Sequence, residues 1–194
     1  MVLNNYRARV DGILTSLSRP FMRLHPNTIT LISLVIAFFA SLSYYLSWLF
    51  LSFIFIFISA LLDAIDGKVA RMRNLASKKG DFLDHAIDRY ADTIILLGII
   101  FSPYATMWIG IFALVGVYMT SYMGTQAQAL GLGRIYGGIL GRADRLVILM
   151  LLPILQFFWW GYYLSVTDWV LLIFAILGNI TALQRFYSAW KMLS

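Results

Sequence analysis

The 194-residue chain contains no cysteine and no glutamate. Without thiols it can form neither a disulfide framework nor a thiolate metal site, and its redox compartment stays open. Charge of either sign is scarce: 12% of residues are charged, against 61% hydrophobic and 16% aromatic. So few charges cannot give a domain a water-compatible surface, which excludes an ordinary soluble protein. There is also no soluble basic segment to hold nucleic acid, despite the net charge of +6. The length suffices for several spans of about 20 residues with short connections and leaves no room for a separate soluble domain. The expected class is an all-α integral membrane protein, with residues 1–194 forming a single membrane domain.

What is present is a series of long apolar runs. Ile29 to Leu62 is too long for one comfortable span and fits two helices joined near "YYLSW". A third span leads from an acidic segment through "ADTIILLGIIF" to Phe101, where "SPY" breaks it, and a fourth covers Met107 to Leu130. "LVILMLLPILQFFWWGYYL" and "WVLLIFAILGNITALQRF" supply a fifth and a sixth. Ahead of this six-helix bundle (26–194), residues 1–25 space Val10, Ile13, Leu14, Leu17 and Phe21 at helical intervals between arginines, the pattern of an amphipathic helix on the membrane surface. No cleaved signal is expected, because the first apolar run starts late and leads straight into another span.

The fifteen basic residues orient the bundle. They precede span one, join spans two and three, join spans four and five, and close the chain. In a six-span layout all fall on one side, so both termini and the acidic segment are expected on the cytoplasmic side of the cell membrane. The net charge then favours anionic headgroups and phosphorylated substrates.

Six of the nine acidic residues lie in "LLDAIDGKVARMRNLASKKGDFLDHAIDRYADT": Asp63, Asp66, Asp81, Asp84, Asp88 and Asp92. Asp63 and Asp66 are one helical turn apart, as are Asp84 and Asp88, so each pair projects from one helix face. Four carboxylates at the ends of two adjacent spans need cations. An all-oxygen ligand set favours Mg²⁺, Mn²⁺ or Ca²⁺, and such ions attract a diphosphate. Gly67, Ala70 and Gly80 keep the same faces low, and Arg71 adds a fixed cation. Asp92 is read as structural, and His85 as a polar neighbour rather than a ligand.

"DAIDGKVARMRNLASKKGDFLDHAID" fits D-x-x-D-G-x-x-A-R-x8-G-x-x-x-D-x-x-x-D at every specified position, and so resembles the CDP-alcohol phosphatidyltransferase family. The resemblance implies an enzyme of phospholipid biosynthesis, commonly a homodimer, that moves a phosphatidyl or archaetidyl group from a CDP-linked lipid to an alcohol and releases CMP. It implies that Asp63, Asp66, Asp84 and Asp88 hold Mg²⁺ or Mn²⁺ and that Asp88 is also the catalytic base. Asp66, Gly67, Ala70, Arg71 and Gly80 would receive the CDP end of the lipid. Asn27 and Thr30 either join them or cap span one. The segment "GRADR" is similar to that of family members using inositol phosphate, and Arg134, Arg142 and Arg145 offer bidentate donors to an acceptor's phosphate. Inositol 1-phosphate is the expected acceptor, with glycerol 3-phosphate the alternative. A divalent-cation channel or transporter needs polar groups through the full membrane depth, whereas these acids gather at one end.

Overall fold

The computed structural model describes residues 11–133, 135–159 and 164–193, and no strand occurs among the described residues. A helix whose described part is residues 11–18 (α1) runs into a 3-10 turn, Arg19–Arg23. Six longer helices follow: α2 (Pro26–Tyr45), α3 (Leu49–Met72), α4 (Lys78–Ile100), α5 (Met107–Ala129), α6 (Arg142–Phe158) and α7 (Val166–Leu193). Four of them, α2, α3, α5 and α7, are long and apolar enough to cross a membrane, and the chain is a multi-pass membrane protein. The other two differ for visible reasons. The first half of α4 carries the acidic segment, and α6 has only 17 residues, opening on Arg142, Asp144 and Arg145. Trp159 ends α6 earlier than its apolar run suggests, while α7 extends beyond its apolar window at both ends.

Local chemistry sets the helix starts. Pro26 opens α2, where its missing N–H costs nothing, and the His25 side chain accepts from the Asn27 amide at 3.3 Å. Ser77 Oγ accepts from the Gly80 amide at 3.1 Å and starts α4, the helix bearing Asp84 and Asp88. The start of α5 is capped from another helix: Asp168 of α7 accepts from the Thr106 amide at 2.6 Å and from its hydroxyl at 3.1 Å.

Helix α2 packs on α3 and α4, α5 packs on α7, and α6 lies against α3 and α7. Small residues set the closest approaches, as expected where lipid removes the hydrophobic drive between helices. A Cβ on Gly178 would lie 3.0 Å from the backbone of Gly116, and Thr120 Oγ1 donates to the Gly178 carbonyl at 2.8 Å across the same crossing. A Cβ on Gly98 would come within 2.7 Å of the Ser41 carbonyl carbon where α4 crosses α2. Large side chains such as Phe50, Trp108 and Phe112 point outward. At the far end from the acidic segment, Tyr44, Thr167 and Gln156 form a buried hydrogen-bonded chain joining α2, α7 and α6.

Residues 1–10 of the expected surface helix lie outside the described residues. Its described part packs Leu14 on the cluster formed by Ile29, Leu62, Ile65 and Val69, together with Phe21 and Met22 of the turn. Asp11 is tied to Lys68 of α3 at 2.6 Å, while Ile13 and Leu17 remain exposed.

Because the α2–α4 crossing leaves no room at Gly98, Gly98→Ala should lower stability by about 1–3 kcal/mol. Thermal unfolding in detergent, read against Gly12→Ala, whose Cβ meets nothing, checks it.

Candidate active site

The last turns of α3 and the first turns of α4 meet where the short 73–77 connection brings them together. Asp63, Asp66 and Asp84 each place a carboxylate oxygen within 4.8 Å of the others, and Asp84, His85 and Asp88 form a second group of the same span. His85, read from the sequence as a polar neighbour, has Nδ1 3.8 Å from Asp84 and Nε2 3.6 Å from Asp81. Asp66 is only 4% exposed and accepts a 2.6 Å hydrogen bond from Thr30 Oγ1. That donor comes from α2, so three helices define the carboxylate cluster. Several anionic oxygens this close repel one another in a low-dielectric site, and hard oxygen donors at this separation fit Mg²⁺ or Mn²⁺. Asp63, Asp66 and Asp84, joined by Asp88, are the residues that could hold such an ion.

On one side the cluster opens into a cleft of about 180 Å³, lined by Asn27, Thr30, Asp66, Gly67, Ala70, Arg71, Gly80 and Asp84. Every residue expected to receive the CDP end therefore faces one space. A Cβ on Gly67 would sit 3.5 Å from the Arg71 guanidinium, and one on Gly80 would sit 3.7 Å from Asn27 Oδ1. Both glycines keep the cleft wall low. Thr30 serves the helix and the site at once, since its hydroxyl is also 3.1 Å from the Pro26 carbonyl.

On the other side lies a void of about 20 Å³ lined by Asp63, Asp88, Asp92 and Arg142, among others. The acceptor arginines differ from the sequence expectation here. Arg134 lies outside the described residues. Arg142 is turned onto carboxylates: Nη2 is 3.4 Å from both oxygens of Asp63 and pairs with Asp88. Arg145, 3% exposed, has its guanidinium 3.9 Å from Asp92, which also pairs with Arg89 at 3.4 Å. A guanidinium in this environment is costly without an anion, and the nearest anions are these aspartates. Nε of Arg142 and Nη1 of Arg145 are buried without a hydrogen-bond partner among the described residues. Donor capacity therefore remains on this side of the cluster.

Sequence reasoning missed Arg185, which it counted only as a cytoplasmic charge. It is buried in α7 and donates to the carbonyls of Gly137 and Thr120, each at 2.8 Å, and of Tyr136 at 3.1 Å. Thr181, one turn earlier, donates from Oγ1 to the Leu177 carbonyl and accepts from the Leu140 amide at 3.0 Å. Together they fasten the coil that leads into Arg142. Gly138, at φ 127°, is pressed against Thr181 too closely for a Cβ. The available signal was an arginine one turn after a threonine in a mainly apolar helix.

The family model for CDP-alcohol phosphatidyltransferase matches residues 23–184. The chain belongs to that family, a family of transferases. It is 34% identical to archaetidylinositol phosphate synthase of Pyrococcus horikoshii, over 99% of this chain and 98% of that protein. It is 29% identical to the archaetidylinositol phosphate synthase of Methanothermobacter thermautotrophicus, over 99% and 96%. The crystal structure of Mycobacterium tuberculosis phosphatidylinositol phosphate synthase with CDP-DAG bound has the same fold, with a TM-score of 0.80 and 24% identity over 92% of this chain and 94% of that one.

Within this transferase, Thr30→Val removes the one hydroxyl that donates to the buried Asp66 carboxylate. It should weaken Mn²⁺ binding by about ten-fold, the usual scale for losing a partner behind a metal ligand. Mn²⁺ titration followed by electron paramagnetic resonance checks it, and Thr30→Ser should restore most of the affinity.

Proposed function

We propose that this protein transfers a phosphatidyl or archaetidyl group from a CDP-linked lipid to the hydroxyl of inositol 1-phosphate and releases CMP. The observation that carries the reading is the two-sided site. The cluster of Asp63, Asp66 and Asp84 faces a cleft lined by Gly67, Arg71 and Gly80, and on its other side Arg142 meets both Asp63 and Asp88. The cleft side takes the cytidine diphosphate, with Gly67, Ala70 and Gly80 admitting it closely and Arg71 and Asn27 donating to it. Asp63, Asp66, Asp84 and Asp88 would hold a divalent cation, which would supply charge neutralisation for the diphosphate and the departing CMP. Asp88 accepts the proton of the acceptor hydroxyl as its oxygen forms a bond to the lipid-side phosphorus. The bond from that phosphorus to the bridging oxygen breaks, and its electron pair leaves with CMP. Arg142 and Arg145, with Arg134, bind the acceptor's phosphate and so set the hydroxyl's line of approach.

Two archaetidylinositol phosphate synthases that align with nearly the whole chain support the acceptor. The buried donors left on Arg142 and Arg145 support an acceptor that carries a phosphate, which free inositol and serine lack. The reading includes a single domain with six crossings, α4 and α6 spanning with polar cytoplasmic ends, and with both termini and the site on the cytoplasmic side. A homodimer in the cell membrane completes it. Support for the orientation comes from the one-sided placement of the basic residues in that layout.

Purified protein should release CMP from a CDP-linked lipid with inositol 1-phosphate and Mg²⁺ or Mn²⁺, and neither free inositol nor serine should substitute. Activity that survives complete chelation sinks the metal role, and faster turnover with glycerol 3-phosphate reassigns the acceptor. Asp88→Asn should fall below about a tenth of the wild-type rate while still binding the CDP-lipid. Labelling of Lys78 from outside sealed cells would reverse the topology.

A further inference from the structure

Asp92 takes no part in the proposed transfer, yet it is a carboxylate only 7% exposed in a lipid-embedded bundle. Such a charge is costly unless cations meet it. Two do, and on the same oxygen: Oδ2 is 3.4 Å from Arg89 of its own helix and 3.9 Å from Arg145 of α6. Arg89 is itself tied to α5, because its Nη1 donates to Ser121 Oγ. Asp92 therefore stands on a braced contact between α4 and α5 and reaches across to the first turns of α6. One carboxylate shared by two guanidinium groups leaves a positive charge uncompensated, and the surroundings add to it. The charges acting most on Arg145 are Asp92, of opposite sign, and Arg89, Arg185 and Arg142, of its own. A group with this excess suits an arriving anion, and a phosphorylated acceptor brings one.

We propose that Asp92 is a positioning residue for the acceptor: it holds the Arg145 guanidinium through Nη2, so that Nη1 remains available to the acceptor's phosphate. The inference rests on the reading that the acceptor carries a phosphate bound by Arg145. Three observations carry it. First, among the described residues Asp92 is the one carboxylate paired with Arg145, and that arginine, 3% exposed, has no water in which to leave its charge. Second, the contact compensates charge without consuming a hydrogen bond. At 3.9 Å it is an ion pair only, and both Asp92 Oδ2 and Arg145 Nη1 are buried without a hydrogen-bond partner among the described residues. A phosphate can accept from Nη1 without first displacing the carboxylate. Third, Asp92 belongs to neither of the groups placed to hold a cation, which are Asp63 with Asp66 and Asp84, and Asp84 with His85 and Asp88. A metal bound there leaves Asp92 to the arginine.

The test uses the full-length protein in lipid vesicles with CDP-lipid, Mg²⁺ and inositol 1-phosphate, comparing wild type, Asp92→Asn, Asp92→Glu, Arg145→Gln, and Asp92→Asn combined with Arg145→Gln. Asp92→Asn should raise the KM for inositol 1-phosphate about ten-fold, change kcat less, and leave the KM for CDP-lipid within about two-fold. Asp92→Glu keeps the charge and should recover most of the lost affinity. In the Arg145→Gln background, Asp92→Asn should add less than about two-fold, because its effect passes through that arginine. Mn²⁺ binding, measured without substrates, should be the same in Asp92→Asn and wild type. A lower melting temperature with a wild-type acceptor KM overturns the proposal, since Asp92 then only braces α4 against α6. Weaker Mn²⁺ binding overturns it by making Asp92 a metal ligand, and additive losses in the double variant overturn it by separating Asp92 from Arg145. Should Asp92→Asn fail to fold, Arg145→Lys decides: it keeps the ion pair and loses the second arm, so the acceptor KM should rise about as far as in Arg145→Gln, and a wild-type KM overturns the proposal. If wild-type protein uses no phosphorylated alcohol at all, the underlying reading has failed, and this inference with it.

Discussion

The constraint on which the rest depends is charge matching at one end of a lipid-embedded bundle. Asp63, Asp66, Asp84, Asp88 and Asp92 crowd the facing turns of α3 and α4, where an uncompensated carboxylate costs several kcal/mol. The structural answers come from α2, from α6 and from α4 itself. Thr30 of α2 donates to Asp66, Arg142 of α6 reaches Asp63 and Asp88, and Arg145 of α6 joins Arg89 of α4 around Asp92. The contacts that neutralise the acids therefore also dock α2 and α6 against α3 and α4. Fold and site are two descriptions of the same interactions there, and a neutral end would leave the polar start of α6 without its partners.

The donor side was legible in the sequence because it depends on distances along single helices. The separations Asp63 to Asp66 and Asp84 to Asp88 place each pair on one face regardless of how the helices pack, and the short 73–77 connection forces the two faces together. Gly67 and Gly80 were legible for the same reason. The acceptor side was not. Arg142 lies 54 residues from Asp88, and which carboxylate it meets follows from how α6 docks between α3 and α7. Nothing in helical periodicity encodes that docking. Arg185 escaped for a related reason: its partners are backbone carbonyls of α5 and of irregular coil, which leave no side-chain pattern to read. Hydropathy likewise marks the stretch of a helix that suits lipid rather than the helix itself. It identified α2, α3, α5 and α7, stopped short of the ends of α7, and did not anticipate that the fifth run would begin at Arg142 and stop at Trp159.

This difference in legibility has a physical counterpart in how the two sides are built. The cleft proposed for the donor stands on α3 and α4, regular helices braced by a close crossing with α2 at Gly98 and Ser41. The diphosphate end is common to every CDP-linked lipid, and rigid helices suit a ligand that does not vary. The acceptor side of that proposal stands on the first turn of α6 and the coil before it, which includes Gly131, Gly133 and Gly138 at positive φ and is fastened to α7 by Arg185 and Thr181. No carboxylate of the cluster is carried on that segment itself. A fold divided in this way can keep one chemical step while exchanging the alcohol that receives the lipid. That division fits the span of the motif, which runs from Asp63 to Asp88 and contains none of Arg134, Arg142 and Arg145.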